Sequence, residues 1–132
     1  MQKIRYRNTI YVLPSEWLGV PVHFDAALSN EATQHHDTIF VGPKFLALWT
    51  EAQTWILTHE VGHWVSSVVG LGHWAKLAKD MGIDVWSDLP WGQPNMEEAF
   101  AESFTVAVEG DDTRWPEWQE LALLVAEQVV AW

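Results

Sequence analysis

Apolar and polar positions follow a strand-like pattern through the first forty residues, and the period then lengthens to that of a helix. Residues 4–6 and Thr9–Leu13 are rich in β-branched and aromatic side chains, and Pro14 stops the second run, so both predict strands. Val20–Phe24 and Thr38–Val41 predict two further short strands, the later one ended by Gly42-Pro43. The polar residues 29–37 between them read as a loop or hairpin connection. From Pro43 the spacing is helical. Thr50, with Gln53 three residues on, has the capping-box pattern and opens a helix that carries Trp55, Ile56, His59, Gly62, His63 and Ser66, with Gly70 as its C′ residue. A short helix over 74–81 ends at Gly82, and residues 84–94, with two prolines and a glycine, read as loop. Asn95 caps a helix running to Glu109 before Gly110. Asp112 or Thr113 caps a last helix with Pro116 near N1, reaching Val130. Strands first and helices after predict an α+β fold. No repeat, low-complexity tract or linker interrupts the chain, so residues 1–132 are expected to form one domain.

One helix carries chemistry. His59-Glu60-Val61-Gly62-His63 is an HExxH motif. Residues i and i+4 lie about 40° apart around a helix, so both imidazoles project from one face. Two such nitrogens can take two corners of a zinc tetrahedron, and Glu60, one step round, then faces the water. The split is chemically necessary: a metal that acidifies water needs a carboxylate outside its own shell to take the proton. Gly62, between the two histidines, leaves space for another element to pack close to the helix. The simpler reading is an exposed helix with two solvated histidines. Trp55-Ile56-Leu57 before the motif and Trp64-Val65 after it argue that the helix is central instead.

A catalytic zinc needs a third protein ligand and an open fourth position. Cysteine is absent, which excludes thiolate ligands and thiol catalysis. The metzincin continuation is absent too, because Ser66 and Val69 stand where Gly and His would follow His63, and His73 is out of step with it. The next long helix offers Glu98-Ala99-Phe100-Ala101-Glu102, whose two carboxylates share a face at i, i+4. One of them can ligate and the other can hold the distal N–H of a ligating imidazole. A solvated acidic face would look the same. Phe100 and Phe104, with Ala99 and Ala101, make this helix too apolar for that.

Together these two motifs resemble the gluzincin zinc metallopeptidases, and the E-x-F-A-E phrase is similar to that of lethal-factor-like endopeptidases. The element order and small size also resemble the minigluzincins. The resemblance covers Thr50 to Phe104. It implies a zincin-like fold, Zn²⁺ as cofactor, His59, His63 and Glu98 as ligands, Glu102 as the group orienting a ligand, and Glu60 as general base in peptide hydrolysis. It also implies a sheet edge, expected at Thr38–Val41, to which an extended peptide substrate adds as a strand. Two features depart from the family. Members place a Tyr or His near the third ligand to stabilise the oxyanion, whereas Tyr6 and Tyr11 lie far upstream and Trp91 stands seven residues before Glu98. His73, His35 and His36 are the remaining oxyanion candidates, each an ordinary loop histidine on the simpler reading. The insert between His63 and Glu98 is also long, which leaves Glu97, about 100° round the helix from Glu98, as a further choice of ligand. His35-His36 is not expected to form a metal site of its own.

Charge narrows the partners. Seven basic against eighteen acidic residues give a net charge of −11, the opposite of the footprint that nucleic-acid binding requires. No charge-free stretch approaches the roughly 20 residues of a spanning helix. The basic start, Met1 to Arg7, leads into no apolar h-region, so no signal peptide is expected, and with no cysteine this suits a cytoplasmic protein. Of the ten tryptophans, Trp64, Trp74, Trp86 and Trp91 lie in or near the motifs and either line a cleft for an apolar substrate residue or pack in the core. The rival to a peptidase is a zincin-fold protein that keeps its metal and binds a partner through an acidic, Trp-rich surface.

Overall fold

The computed structural model describes residues 1–110 and 112–129. The class is α+β, with every strand before residue 42 and helices after it. The chain forms two compact units, Met1–Val61 and Gly62–Trp132, and the division falls inside one unbroken helix.

In the first unit, β1 (Gln2–Tyr6) and β2 (Thr9–Leu13) make an antiparallel hairpin with Ile4 opposite Tyr11. Its two-residue turn places Arg7 and Asn8 at positive φ, the conformation that matches the twist of the flanking strands. A second sheet has the order β3 (Glu16–Trp17), β4 (Val20–Phe24), β6 (Thr38–Val41), β5 (Ala32–His35), with β4 and β6 parallel and the other pairs antiparallel. Period-two alternation holds: Val20, Val22, Ile39 and Val41 are buried, while Pro21 and His23 face outward. The Gln2 side chain ties the two sheets, donating to the carbonyls of Pro14 and Val22.

The connection over residues 29–37 takes its hairpin form, and its first arm, β5, is too polar (Ala-Thr-Gln-His) to announce itself as a strand. This overturns the edge assignment. β6 lies between β4 and β5, so Thr38–Val41 is an inner strand with both sides paired, and the outer position belongs to β5.

After a single turn, α1 (Pro43–Leu46), comes the long helix α2 (Thr50–Val69). Its capping box does not form. The Gln53 N–H donates to the carbonyl of Trp49, one residue before the predicted cap, and the Gln53 side-chain amide reaches back to Phe45. Thr58 is fully buried on α2, where it accepts the indole N–H of Trp17 and donates to the carbonyl of Thr54.

In the second unit α2 ends at Gly70, and α3 (Leu71–Asp80) starts at once, three residues before the predicted Trp74. The chain leaves α3 through a Schellman closure: Ile83 N–H donates to Ala78 and Gly82 N–H to Lys79, with Gly82 at φ 80°. A 3₁₀ turn at Pro90–Gly92 interrupts the loop that follows. α4 (Met96–Glu109) has the predicted bounds, capped by the Asn95 carboxamide, which accepts from the Glu98 N–H, and closed by Gly110 in the left-handed region. α5 (Pro116–Ala126) differs at its start. Trp115, at φ 56°, occupies the cap position, while the Asp112 carboxylate is engaged by Arg114 and by the indole of Trp91. The helix stops at Ala126, and Val130 lies outside the described residues. α4 packs on α5 around Trp74, whose ring centroid lies 4.7 Å from Phe100 and 6.4 Å from Trp118. The Trp74 indole N–H donates to the buried hydroxyl of Ser66. Among the described residues, no helix is long and apolar enough to cross a membrane.

Candidate metal centre

Close helix packing sets up the site. A Cβ built on Gly62 would stand 2.9 Å from Cα of Ala101, 3.1 Å from its carbonyl oxygen and 3.2 Å from Phe104 Cδ1, so the α2 backbone can approach α4 this closely only at a glycine. Gly62 sits directly before His63, and Ala101 is three residues after Glu98. The contact therefore sets the helix turn bearing a histidine beside the one bearing a carboxylate. Asn95 fixes the start of α4 by accepting the backbone N–H of Glu98 itself. The buried hydroxyls of Ser103 and Thr105 are satisfied within α4 by the carbonyls of Ala99 and Ala101, so neither competes for the site.

The outcome is one cluster. Among the described residues, His59, His63 and Glu98 are the only group of three or more His, Asp or Glu side chains whose donor atoms lie within 4.8 Å of one another. Nε2 of His63 is 3.0 Å from Oε1 of Glu98. A tetrahedral ion with bonds of about 2.0–2.1 Å spaces its ligand atoms about 3.4 Å apart, so the His63–Glu98 pair already stands near that spacing and the full triad, within 4.8 Å, can close around an ion. All three residues are half-buried, which screens the charges from bulk water and leaves a side open to approach. The His-His-Glu group can therefore hold a metal ion.

Other candidates fall elsewhere. Glu60 is half-buried on α2 between the two histidines, and Glu102 is half-buried one turn along α4, outside the three-residue cluster. Glu97 is exposed and outside it as well. His73 is exposed on α3. His35 and His36 are exposed around the β5–β6 turn, their ring centroids 4.2 Å apart, and belong to no three-residue metal cluster among the described residues. The Trp91 indole N–H is committed to the Asp112 carboxylate at 3.1 Å. Of the tryptophans near the motifs, Trp74 is core, Trp64 and Trp91 are half-buried, and Trp86 is 81% exposed.

Sequence reasoning passes over Thr58 and names Ser66 only as a position on the helix, whereas both are buried hydroxyls on α2 that anchor Trp17 and Trp74. Their only signal was small polar residues at apolar-phase positions of a central helix. Asn95 was found as a cap, but its role in fixing the residue that supplies the carboxylate was not. Set beside protein-family models, curated proteins and solved structures, the chain matches none of them.

Proposed function

We propose that this protein is a zinc-dependent metallopeptidase of the gluzincin kind. The observation that carries the reading is the convergence of His59, His63 and Glu98, with Glu60 next to His59 on the helix that bears both histidines. Two imidazoles and one carboxylate form the donor set of catalytic zinc sites that keep an open position. A zinc ion held there supplies Lewis acidity, making water a usable nucleophile near neutral pH and polarising a scissile carbonyl.

The remaining work belongs to the chain. Glu60, outside the ligand set, takes a proton from the attacking water on a carboxylate oxygen and then delivers it to the leaving amine nitrogen. Glu102, one turn from Glu98, orients a ligating imidazole through its distal N–H. Nothing among the ligands needs Glu60, and a site that only held the fold together would not require a carboxylate at that position. This is why the enzyme is favoured over the interaction protein. The absence of a tyrosine near Glu98 in the sequence is the one feature on the other side.

Digestion of a diverse peptide library by the zinc-loaded protein, read by mass spectrometry beside a chelated sample, tests the reading. New termini that appear only with zinc are expected. An unchanged library would favour the rival.

A further inference from the structure

One surface stands apart from the metal cluster. α3 and the loop after it enclose a groove of about 660 Å³, lined by Gly72, Ala75, Lys76 and Lys79 from the helix and by Ile83, Val85 and Trp86 from the loop. The four helix residues fall at i, i+3, i+4 and i+7, so one stripe of α3 faces the groove while Trp74 and Ala78 on the other side are buried. The volume is that of a ligand site, and the lining is mostly apolar with a few polar groups. None of His59, Glu60, His63 or Glu98 lines it.

Three features of the groove point to a ligand. Lys76 and Lys79 are two of only seven cations in a chain of net charge −11, and they stand together at this groove, whose single carboxylate, Asp84, is engaged by the Trp86 N–H and the Ser87 hydroxyl. Neither is ion-paired among the described residues. Trp86 is 81% exposed at the groove, although its backbone N–H and the Ser87 hydroxyl are both anchored on Asp84. An exposed indole on an anchored loop is a ready contact residue. Gly72 has no structural reason to be glycine: its φ is not positive, and a Cβ there would meet nothing within 4 Å. A larger side chain would instead point into open space on the groove side.

We propose that this groove docks a partner peptide in which acidic residues adjoin a large apolar one, the carboxylates meeting Lys76 and Lys79 and the apolar side chain resting against Ile83, Val85 and Trp86. The choice of a peptide over a compact ligand follows from the neighbouring hollow. It shares Gly82, Ile83 and Asp84 with the groove and adds Asp88, Glu117 and Trp115, so a longer chain has further surface, of opposite charge, to follow. The proposal is independent of the metal chemistry.

Fluorescence anisotropy of a labelled octapeptide, Ser-Gly-Glu-Glu-Trp-Leu-Gly-Ser, titrated with the full-length protein tests it, with peptide integrity checked by mass. Saturable binding is expected, weakened roughly tenfold when the two glutamates are replaced by glutamine and to a similar extent by the double variant Lys76→Glu, Lys79→Glu. A Lys-Lys version of the peptide should recover affinity for that double variant. Gly72→Leu should block the groove and abolish binding without lowering Tm, which keeps the test valid if the charge reversal misfolds. Four results would each overturn the proposal: no saturation at millimolar protein, equal affinity for the Gln-Gln peptide, undiminished binding by Gly72→Leu, or N-acetyltryptophan competing as well as the peptide. The last would mark a small-molecule site.

Discussion

Gly62 and Ala101 lie against each other, with only 2.9 Å between the position of a Cβ on the first and the Cα of the second. Two helices are set side by side by that missing methyl group, and each carries part of the metal cluster. The first prediction follows directly. Gly62→Ala must push backbone against backbone, and overpacking of this kind costs about 1–3 kcal/mol. Urea unfolding should show that loss, and zinc titration of the folded variant should show weaker binding. A variant as stable as wild type with unchanged zinc affinity would mean that the close approach is not what builds the site.

Zinc should bind at about one per chain and stabilise the fold. At free zinc 100-fold above Kd, the linkage is about 2.7 kcal/mol, which for a chain of this size raises Tm by roughly 10 °C. Elemental analysis and calorimetry with and without EDTA check this. No metal after reconstitution, with unchanged melting, would remove the metal from the account.

The two glutamates of α4 should separate. Glu98→Ala deletes a donor of the cluster and should weaken zinc binding severely. Glu102→Ala should cost less, about 10–100-fold. Competition titrations with a chromogenic chelator measure both. A reversed order would make Glu102 the ligand, one helical turn from the assignment made here.

The Asp112 carboxylate is held well below the usual range, chiefly by the hydrogen bonds from the Arg114 guanidinium, then by the Arg114 N–H and the Trp91 indole. A folded-state pKa below the unfolded value of about 3.9 means that its stabilisation is fully present above that pH and is lost as pH falls through the lower folded value. Asp112→Asn should therefore be less stable than wild type at pH 5 to 7. The difference should shrink as the pH is taken from about 4 toward 2. Parallel denaturation series check this, and a pH-independent difference would show that the carboxylate charge is not what ties Trp91 to this loop.

What was legible in the sequence was local. Asn95 and Gly110 bound α4 as expected because a cap and a left-handed closure are made by residues a few positions apart. HExxH and E-x-F-A-E each fix relative side-chain directions within one helix, so the pairing of His59 with His63 could be read directly, with Glu98 or Glu102 as the candidate partner and the choice of Glu98 implied by the resemblance. The space left by Gly62 was also legible, though not the element that fills it. What failed depended on distant partners. β5 is a strand because β6 pairs with it and not because Ala-Thr-Gln-His favours one, and missing it turned an inner strand into an expected edge. The caps expected at Thr50 and at Asp112 or Thr113 do not form for a related reason: Trp49 and Trp115 occupy those positions, and the Asp112 carboxylate is held by Arg114 and by Trp91, 21 residues away. Trp74 and Trp86 are identical as letters, and only tertiary packing buries one and exposes the other.

The most direct test of the central claim is the rate of peptide hydrolysis by wild type and Glu60→Gln, with zinc occupancy measured in the same samples. Glu60 is assigned to the water and not to the metal, so the amide should leave stoichiometry and folding nearly intact, with at most a slight loss of zinc affinity from the removed charge. An amide cannot accept the proton, so the rate should fall by about 10²–10⁴. Hydrolysis at the wild-type rate by a fully zinc-loaded Glu60→Gln protein would contradict the mechanism, and an inert wild type would contradict the enzyme itself.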